Sequence, residues 1–235
     1  MDEYISAKMR LFDNQTEADL AVLQDGMDEL AGKYGIKARK IHYTESERFP
    51  DMQLMGPHNR CNAEAAWLAC REFGVTEEAA ARAVAAFQPL EHRLEKVAEI
   101  NGVLYVNDSK CTTVEALRVA LSSFDRPVVL LAGGKFKGGD LPGLCPLLKE
   151  HARCVALFGA SREWFEPAWR DTLPVTWDRT LEQALCRVAG KDGQPALAHE
   201  GDVVLLAPAC SSYDQYPNYL RRGEDFKRVV HEVLA

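Results

Sequence analysis

Three short segments combine glycines, lysines, hydroxyls and carboxylates in a way that suits an anionic ligand. They are Asn107-Asp108-Ser109-Lys110, Ala132-Gly133-Gly134-Lys135-Phe136-Lys137-Gly138-Gly139-Asp140, and Ala207-Pro208-Ala209-Cys210-Ser211-Ser212-Tyr213-Asp214. Glycines let backbone N–H groups approach an anion closely, and lysines supply opposite charge. A carboxylate or a phosphate is the ligand class this chemistry selects. Each signal alone has a plainer reading. A Gly-Gly pair after a strand is commonly a tight turn, surface lysines are commonly only solvated, and Ser-Ser commonly turns or caps the chain. His58 and His92 read first as hydrogen-bonded structural histidines. Only the three segments together favour a site.

Each segment follows an apolar run, and the runs define the scaffold. Val97–Ile100, Asn101-Gly102 and Val103–Val106 read as a hairpin, because Asn-Gly supplies the positive φ values of a type I′ turn. Val128–Ala132 precedes a helix near Leu144–Glu150, and Val155–Phe158 precedes one opened by Ser161. Val175–Trp177 precedes a helix opened by Thr180, with Gln183 completing a capping box. Val203–Ala207 precedes a last helix, Glu224–Leu234. Apolar strands alternating with helices predict an α/β, Rossmann-like domain with a mostly parallel sheet and an added hairpin. Ligands of such sheets gather beyond the carboxyl ends of the strands, so the three segments are expected to line one cleft.

Residues 1–88 read differently, as helices with little sheet. Ile5, Met9 and Phe12 form an apolar stripe on an opening helix. A short strand over Ala21-Val22-Leu23 and a helix ending at Gly35 follow. Asn59–Phe73 reads as a helix closed by Gly74, and Thr76 caps another running to Phe87. Pro89 and Glu91-His92-Arg93 read as a polar linker, giving domains 1–88 and 89–235.

Composition narrows the function classes. The chain has 235 residues, with 28 Lys+Arg against 35 Asp+Glu for a net charge of −7, which disfavours non-specific binding to nucleic acid or anionic membranes. The longest apolar stretch, Val203–Cys210, contains a proline and is far too short to span a bilayer. No export leader opens the sequence. Seven cysteines without a Cys-x-x-Cys pair argue for reduced, mostly buried thiols in a cytoplasmic protein.

The strings themselves go further. Leu90-Glu91-His92-Arg93-Leu94-Glu95 and Tyr105-Val106-Asn107-Asp108-Ser109-Lys110-Cys111-Thr112 resemble the "PHR-E … NDSKAT" signature of the D-glutamate-adding Mur ligases. His58-Asn59-Arg60-Cys61-Asn62-Ala63 is similar to their "HNxxNA" segment. Pro208-Ala209-Cys210-Ser211-Ser212-Tyr213-Asp214-Gln215-Tyr216 is similar to their "SPAxASxDxF" segment, continued by Asn218-Tyr219 and Arg222-Gly223. Tyr4-Ile5-Ser6-Ala7-Lys8-Met9-Arg10 resembles the stretch carrying the family's carbamylated lysine. The likeness runs in order over almost the whole chain.

The resemblance implies roles. Lys8 corresponds to the lysine whose carbamate helps hold Mg²⁺, a hard cation that prefers oxygen. Asn59 matches an adenine contact, and Arg93, Asp108 and Lys110 match positions near the ribose and phosphates of ATP. Lys110 and His92 fall in the catalytic motif. Thr112, Lys137, Ser212, Tyr213 and Tyr219 match the D-glutamate pocket, with Lys137 and Ser212 expected to converge on its carboxylates. The implied reaction, in peptidoglycan synthesis, phosphorylates the carboxylate of UDP-N-acetylmuramoyl-L-alanine with ATP. The amine of D-glutamate then attacks the acyl phosphate. The implied partners are these small molecules, with no nucleic acid, no membrane and a monomeric chain.

Two positions depart from the family pattern beside the amino-acid pocket: Phe136, usually acidic or small, and Thr113, usually Asn. No Gly-x-x-x-x-Gly-Lys-Ser/Thr occurs in these residues, and the family's UDP-binding domain and acidic and histidine metal ligands have no match. The chain therefore reads as the end of the ATP-binding central domain followed by the carboxy-terminal domain. Without a phosphate cradle the expectation is no ligase turnover, and without the other metal ligands an unmodified, exposed Lys8. Two other readings stand beside this one: a non-catalytic remnant that binds nucleotide or an acidic amino acid, and a related ligase adding a different amino acid.

Overall fold

The structure, a computed structural model, describes residues 2–234 and divides between Gln88 and Pro89 into two compact units. In the first unit, alternating burial along β1 (Leu20–Gln24) sends successive side chains to opposite faces. Ala21 and Leu23 pack with Met9 of α1 (Asp2–Met9), Ala31 of α2 (Asp28–Lys33), and Ile36 and Ala38. Val22 joins Ile41 and Tyr43 against Trp67 and Leu68 of α3 (Pro57–Cys70) and Ala80 of α4 (Glu77–Ala86). Gly74, at φ 81°, ends the single 3₁₀ turn that follows α3, and the Thr76 hydroxyl accepts from Ala79 N–H to cap α4.

This unit has more sheet than the sequence suggests. β1 pairs in parallel with β2 (Arg39–Tyr43), a strand absent from the sequence reading. Only Ile41 and Tyr43 of its apolar side chains are even half-buried, so the periodic signal is two residues long.

The second unit is a six-stranded sheet in the order β3-β4-β8-β5-β6-β7. β3 (Glu95–Ile100) and β4 (Val103–Asn107) form the antiparallel hairpin, with Asn101 at φ 51° and Gly102 at φ 75° as the Asn-Gly turn requires. The remaining strands run parallel to β4: β5 (Val128–Gly133), β6 (Ala152–Phe158), β7 (Val175–Asp178) and β8 (Val203–Leu206). Between them lie α5 (Val114–Leu121), α6 (Cys145–His151), α7 (Arg162–Trp169) and α8 (Leu181–Val188); α9 (Tyr219–Val229) follows β8.

Both faces of this sheet are covered. Val129, Leu131, Ala156, Phe158, Val204 and Leu206 pack against Leu181, Leu185 and Val188 of α8 and Phe226 and Val229 of α9. The alternate residues Val128, Leu130, Val155, Leu157, Val203 and Leu205 are also fully buried, on the opposite face. Continuous apolar strands buried on two sides are the physical reason the sheet is parallel. Thr180 and Gln183 form the complete capping box of α8.

Three boundaries differ from the sequence reading. α5 has no counterpart there, although Thr113 caps it by accepting from Ala116 N–H. α9 begins at Tyr219, five residues early, because Asn218 accepts from Arg221 N–H and starts it; a π turn, Val230–Leu234, finishes it. The segment read as a polar linker is not loose. His92 is buried and the segment is folded into the second unit.

Candidate functional site

β8 lies between β4 and β5, so the segments leaving the carboxyl ends of these three strands are neighbours. They are tied by the backbone itself. Asp108 N–H donates to Leu206 O (2.8 Å), Gly133 N–H to Pro208 O (3.0 Å), and Lys135 and Ser211 exchange a pair of bonds (2.8 and 3.1 Å). The Ser211 hydroxyl adds a third bond to Lys135 O at 3.0 Å. Lys137 and Ser212 stand just beyond this bridge, on two joined loops.

The glycines of the middle loop have separate reasons. A Cβ on Gly133 would lie 2.0 Å from Phe158 O, and one on Gly134 would lie 2.4 Å from Ser211 O. Close backbone packing therefore accounts for this pair without a ligand. Gly138, at φ 96°, meets nothing within 4 Å. Between these glycines, Phe136 stacks edge-on against Phe165 of α7 at 5.1 Å between centroids. The departure at 136 thus anchors the loop while Lys137 stays exposed. Thr113 is spent on capping α5.

On the β4 side the chain bends sharply. His92 and Leu94 both have positive φ, 64° and 45°, unusual for side chains of this size. The bend buries His92 and Leu94 and leaves Arg93 between them exposed. His92 O accepts from Lys110 N–H at 3.1 Å, which brings Arg93 and Lys110 onto neighbouring turns. Asp108 lies beneath them, only 7% exposed. Burial raises its carboxyl pKa to about 6, against the lowering effects of Leu94 N–H, Arg93 and Lys110.

Of the residues expected in the pocket, Thr112 is half-buried, Tyr213 exposed and Tyr219 half-buried. The Tyr219 ring meets His92 edge-on at 6.2 Å, and its carbonyl accepts from Ser109 Oγ at 2.7 Å. The second unit thus places His92, Arg93, Asp108, Lys110, Thr112, Lys137, Ser212 and Tyr213 on segments at the carboxyl end of the sheet, with Tyr219 at the start of α9 beside them. His92 belongs to the hydrogen-bonded floor, and Lys110 is the solvent-facing member of the pair expected to be catalytic. A hollow of about 750 Å³ beside the cluster is lined by Gly159, Trp177, Arg179, Asp214 and Tyr216, and contains none of the lysines.

Lys8 and Asn59 belong to the first unit. Lys8 is exposed, with its ammonium 5.5 Å from the centre of the Tyr4 ring. Asn59 sits in the first turn of α3, donating to Met55 O at 2.7 Å and accepting from Asn62 at 3.3 Å. One amide hydrogen and one lone pair remain for a ligand.

The sequence reading assigns no role to Asn107, Ser109, Arg222 or Gly223, yet these buried residues hold the floor. Arg222 is fully buried and donates to Ser109 Oγ (3.0 Å), Ser109 O (2.8 Å), Cys210 O (3.0 Å) and Gly133 O (3.4 Å). The only sequence signal for it is its place beside Gly223 in the matched string.

A parallel α/β sheet with an antiparallel hairpin edge and this three-loop rim defines a Mur ligase carboxy-terminal fold. Among solved structures, MurF from Acinetobacter baumannii aligns with a TM-score of 0.60 at 17% identity, over 87% of this chain and 52% of that one. Folylpolyglutamate synthase from Mycobacterium tuberculosis aligns with a TM-score of 0.59 at 14% identity, over 88% and 55%. The nearer relatives are more particular. The chain is 60% identical over 234 residues to the UDP-N-acetylmuramoylalanine–D-glutamate ligase of Lawsonia intracellularis, covering 100% of this chain and 52% of that protein. It is 36% identical to the Aquifex aeolicus protein of the same name, over 98% of this chain and 57% of that one. No family model matches the chain. The chain is homologous along its whole length to UDP-N-acetylmuramoylalanine–D-glutamate ligases and spans about half the length of the curated relatives it matches.

Proposed function

We propose that this chain carries the D-glutamate-binding part of an ATP-dependent, amide-forming ligase acting on UDP-N-acetylmuramoyl-L-alanine in the cytoplasm. The first unit then corresponds to the end of the ATP-binding central domain, and the second to the carboxy-terminal domain. The observation that carries this reading is the convergence of the Lys137 and Ser212 loops through the Lys135–Ser211 bridge. An exposed cation, Lys137, and a hydroxyl on the loop bridged to it, Ser212, only 2% exposed, suit a carboxylate that enters between the loops, with Thr112, Tyr213 and Tyr219 around it.

The second unit by itself offers groups suited to the ribose and phosphates of ATP. Arg93 and Lys110 offer exposed charge for phosphates, and Asp108 offers a hydroxyl acceptor; Asn59 of the first unit offers the pair of groups a purine edge needs. ATP, when bound, supplies the phosphoryl group that activates a carboxylate for attack by the D-glutamate amine. Lys110 would neutralise developing negative charge, and His92 would hold the turn that presents Arg93.

Magnesium is a different matter. Lys8 stands exposed over Tyr4, and the one group of three possible ligands among the described residues is Glu91, His92 and Glu95. Lys227 already pairs with both of those carboxylates. These residues do not fit a Mg²⁺ site.

Titration with D-glutamate and L-glutamate, followed by amide chemical shifts, tests the proposal. Shifts at Lys137, Ser212 and Thr112 that saturate with the D isomer and not the L isomer are expected. No D-isomer response at these amides sinks the reading.

A further inference from the structure

We infer that Arg222 couples the three site loops, so that the loops bearing Lys110, Lys137 and Ser212 order and loosen as one unit. Arg222 projects from the start of α9 into the floor beneath all three strand ends, with no exposed surface. Its Nε and Nη2 reach the Ser109 hydroxyl and carbonyl on the β4 loop. Nη2 also reaches Cys210 O on the β8 loop, and Nη1 reaches Gly133 O at the end of β5. Every acceptor in this set is a hydroxyl or a carbonyl; none is a carboxylate.

A buried guanidinium held only by hydroxyl and carbonyl oxygens is costly unless its donors are matched, and four of its five N–H groups have partners here. Loss of one loop's acceptor therefore weakens the hold on the other two. The fork geometry matters, because five donors in one plane can span three chain segments where a single ammonium cannot. Burial lowers the pKa to about 10, so the group stays charged at neutral pH. The coupling is reinforced from the ligand side of the floor. Ser109 Oγ accepts from Arg222 and donates to Tyr219 O, closing a ring back to the start of α9. Gly134 cannot carry a side chain here, since its Cβ would lie 3.1 Å from Arg222 Nη1 and 2.4 Å from Ser211 O.

The test is amide hydrogen exchange on the full chain, with Arg222→Lys, Arg222→Gln and Ser109→Ala. Arg222→Lys keeps the charge and loses the fork. Exchange is expected to rise at least about tenfold at Lys135 and Ser211 as well as at Ser109 and Lys110, while the β5 and β6 amides away from the site keep their protection. Ser109→Ala removes one acceptor and, if the arginine variants do not fold, carries the test alone. A rise at Lys135 and Ser211, on loops Ser109 does not touch, supports coupling. Changes confined to residues 108–110, or a uniform rise through the whole sheet, overturn it. A second readout rests on the proposed D-glutamate site: D-glutamate affinity should fall about tenfold or more in Arg222→Lys. If the unaltered chain binds no D-glutamate, that functional reading fails, and the exchange pattern still decides the role of Arg222.

Discussion

Asn107 Nδ2 lies 2.9 Å from His92 Nδ1, and the amide can act only as donor in that contact. Its oxygen is already committed, accepting from Ser109 N–H at 3.1 Å. Its nitrogen also faces two further acceptors, Glu95 Oε2 at 3.0 Å and Gly223 O at 3.4 Å. His92 Nδ1 must therefore accept, which puts the imidazole proton on Nε2, the nitrogen nearer Glu91. One buried amide at the end of β4 thus fixes the orientation of the histidine beneath Arg93.

Replacing that amide should be expensive. Asn107→Leu keeps the volume and removes the partners of His92 Nδ1 and Ser109 N–H, both buried. Each orphaned group costs about 1–3 kcal/mol, so a loss of about 2–6 kcal/mol is expected. Urea denaturation of the two proteins measures it. A loss under about 1 kcal/mol would mean that water or a shifted backbone takes over the amide's bonds.

Two glycines in helices should respond in opposite directions. A Cβ on Gly223 would lie 2.2 Å from His92 Nδ1, in a site with no exposed surface to yield into. Gly223→Ala is expected to destabilise by about 1–3 kcal/mol or more and to disturb the Asn107 network. Gly32, inside α2, meets nothing within 4 Å and has no positive φ. Gly32→Ala should stabilise by about 0.5–1 kcal/mol through helix propensity and reduced freedom of the unfolded chain. Thermal unfolding of both variants, showing shifts of the same sign, would contradict this packing.

The contrast between these residues shows what a sequence can carry. Val128–Gly133 and Val203–Leu206 are legible because buried parallel strands are apolar at every position, and Asn101-Gly102 because one turn type demands it. Thr180 and Gln183 signal a cap three residues apart. β2 is faint because its half-buried positions are only Ile41 and Tyr43. α5 carries the stripe Val114, Leu117, Leu121, but in only eight residues. The rim of the site is legible as strings of polar residues. Its floor is not: an arginine and an asparagine stand in the matched strings without a role until the fold places them under three converging strand ends. Arg93 and His92 look like one polar linker, and only the left-handed turns at 92 and 94 separate an exposed charge from a buried ring.

Asp108 makes stability depend on pH in a predictable direction. Its carboxyl pKa is raised from 3.8 to about 6, chiefly by burial. The folded state therefore holds a proton that the unfolded state releases between about pH 4 and pH 6. Its contribution is fully present below pH 4 and is lost as pH rises through 6. The amount is on the order of 2–3 kcal/mol, since a tenfold change in proton affinity corresponds to about 1.4 kcal/mol. Asp108→Asn has no proton to lose, so the stability difference between it and the unaltered chain should change by that amount between pH 4 and pH 7. Parallel urea curves at the two pH values with a constant difference would show that Asp108 does not titrate as its burial implies.

The two exposed lysines of the middle loop should behave differently toward a ligand. Lys135 holds the bridge to Ser211 through its backbone N–H and carbonyl, and its side chain takes no part in those bonds. Lys137 lies two residues on, past the Phe136 ring that pins the loop to α7. If the site takes a carboxylate as proposed, the Lys137 ammonium is the group that meets it, and a charge-assisted bond of this kind contributes about 1.5–3 kcal/mol. Lys137→Ala should therefore weaken D-glutamate binding by about tenfold to a hundredfold, whereas Lys135→Ala should leave the affinity nearly unchanged. Added salt should weaken binding to the unaltered chain and have less effect on the Lys137→Ala variant, because screening acts on the charge that has been removed. Calorimetric titration of D-glutamate into the three proteins at low and high salt checks this. Equal losses from both lysine variants would mean that the loop attracts the ligand only through its overall charge, and that the Lys135–Ser211 bridge does not aim Lys137 at the carboxylate.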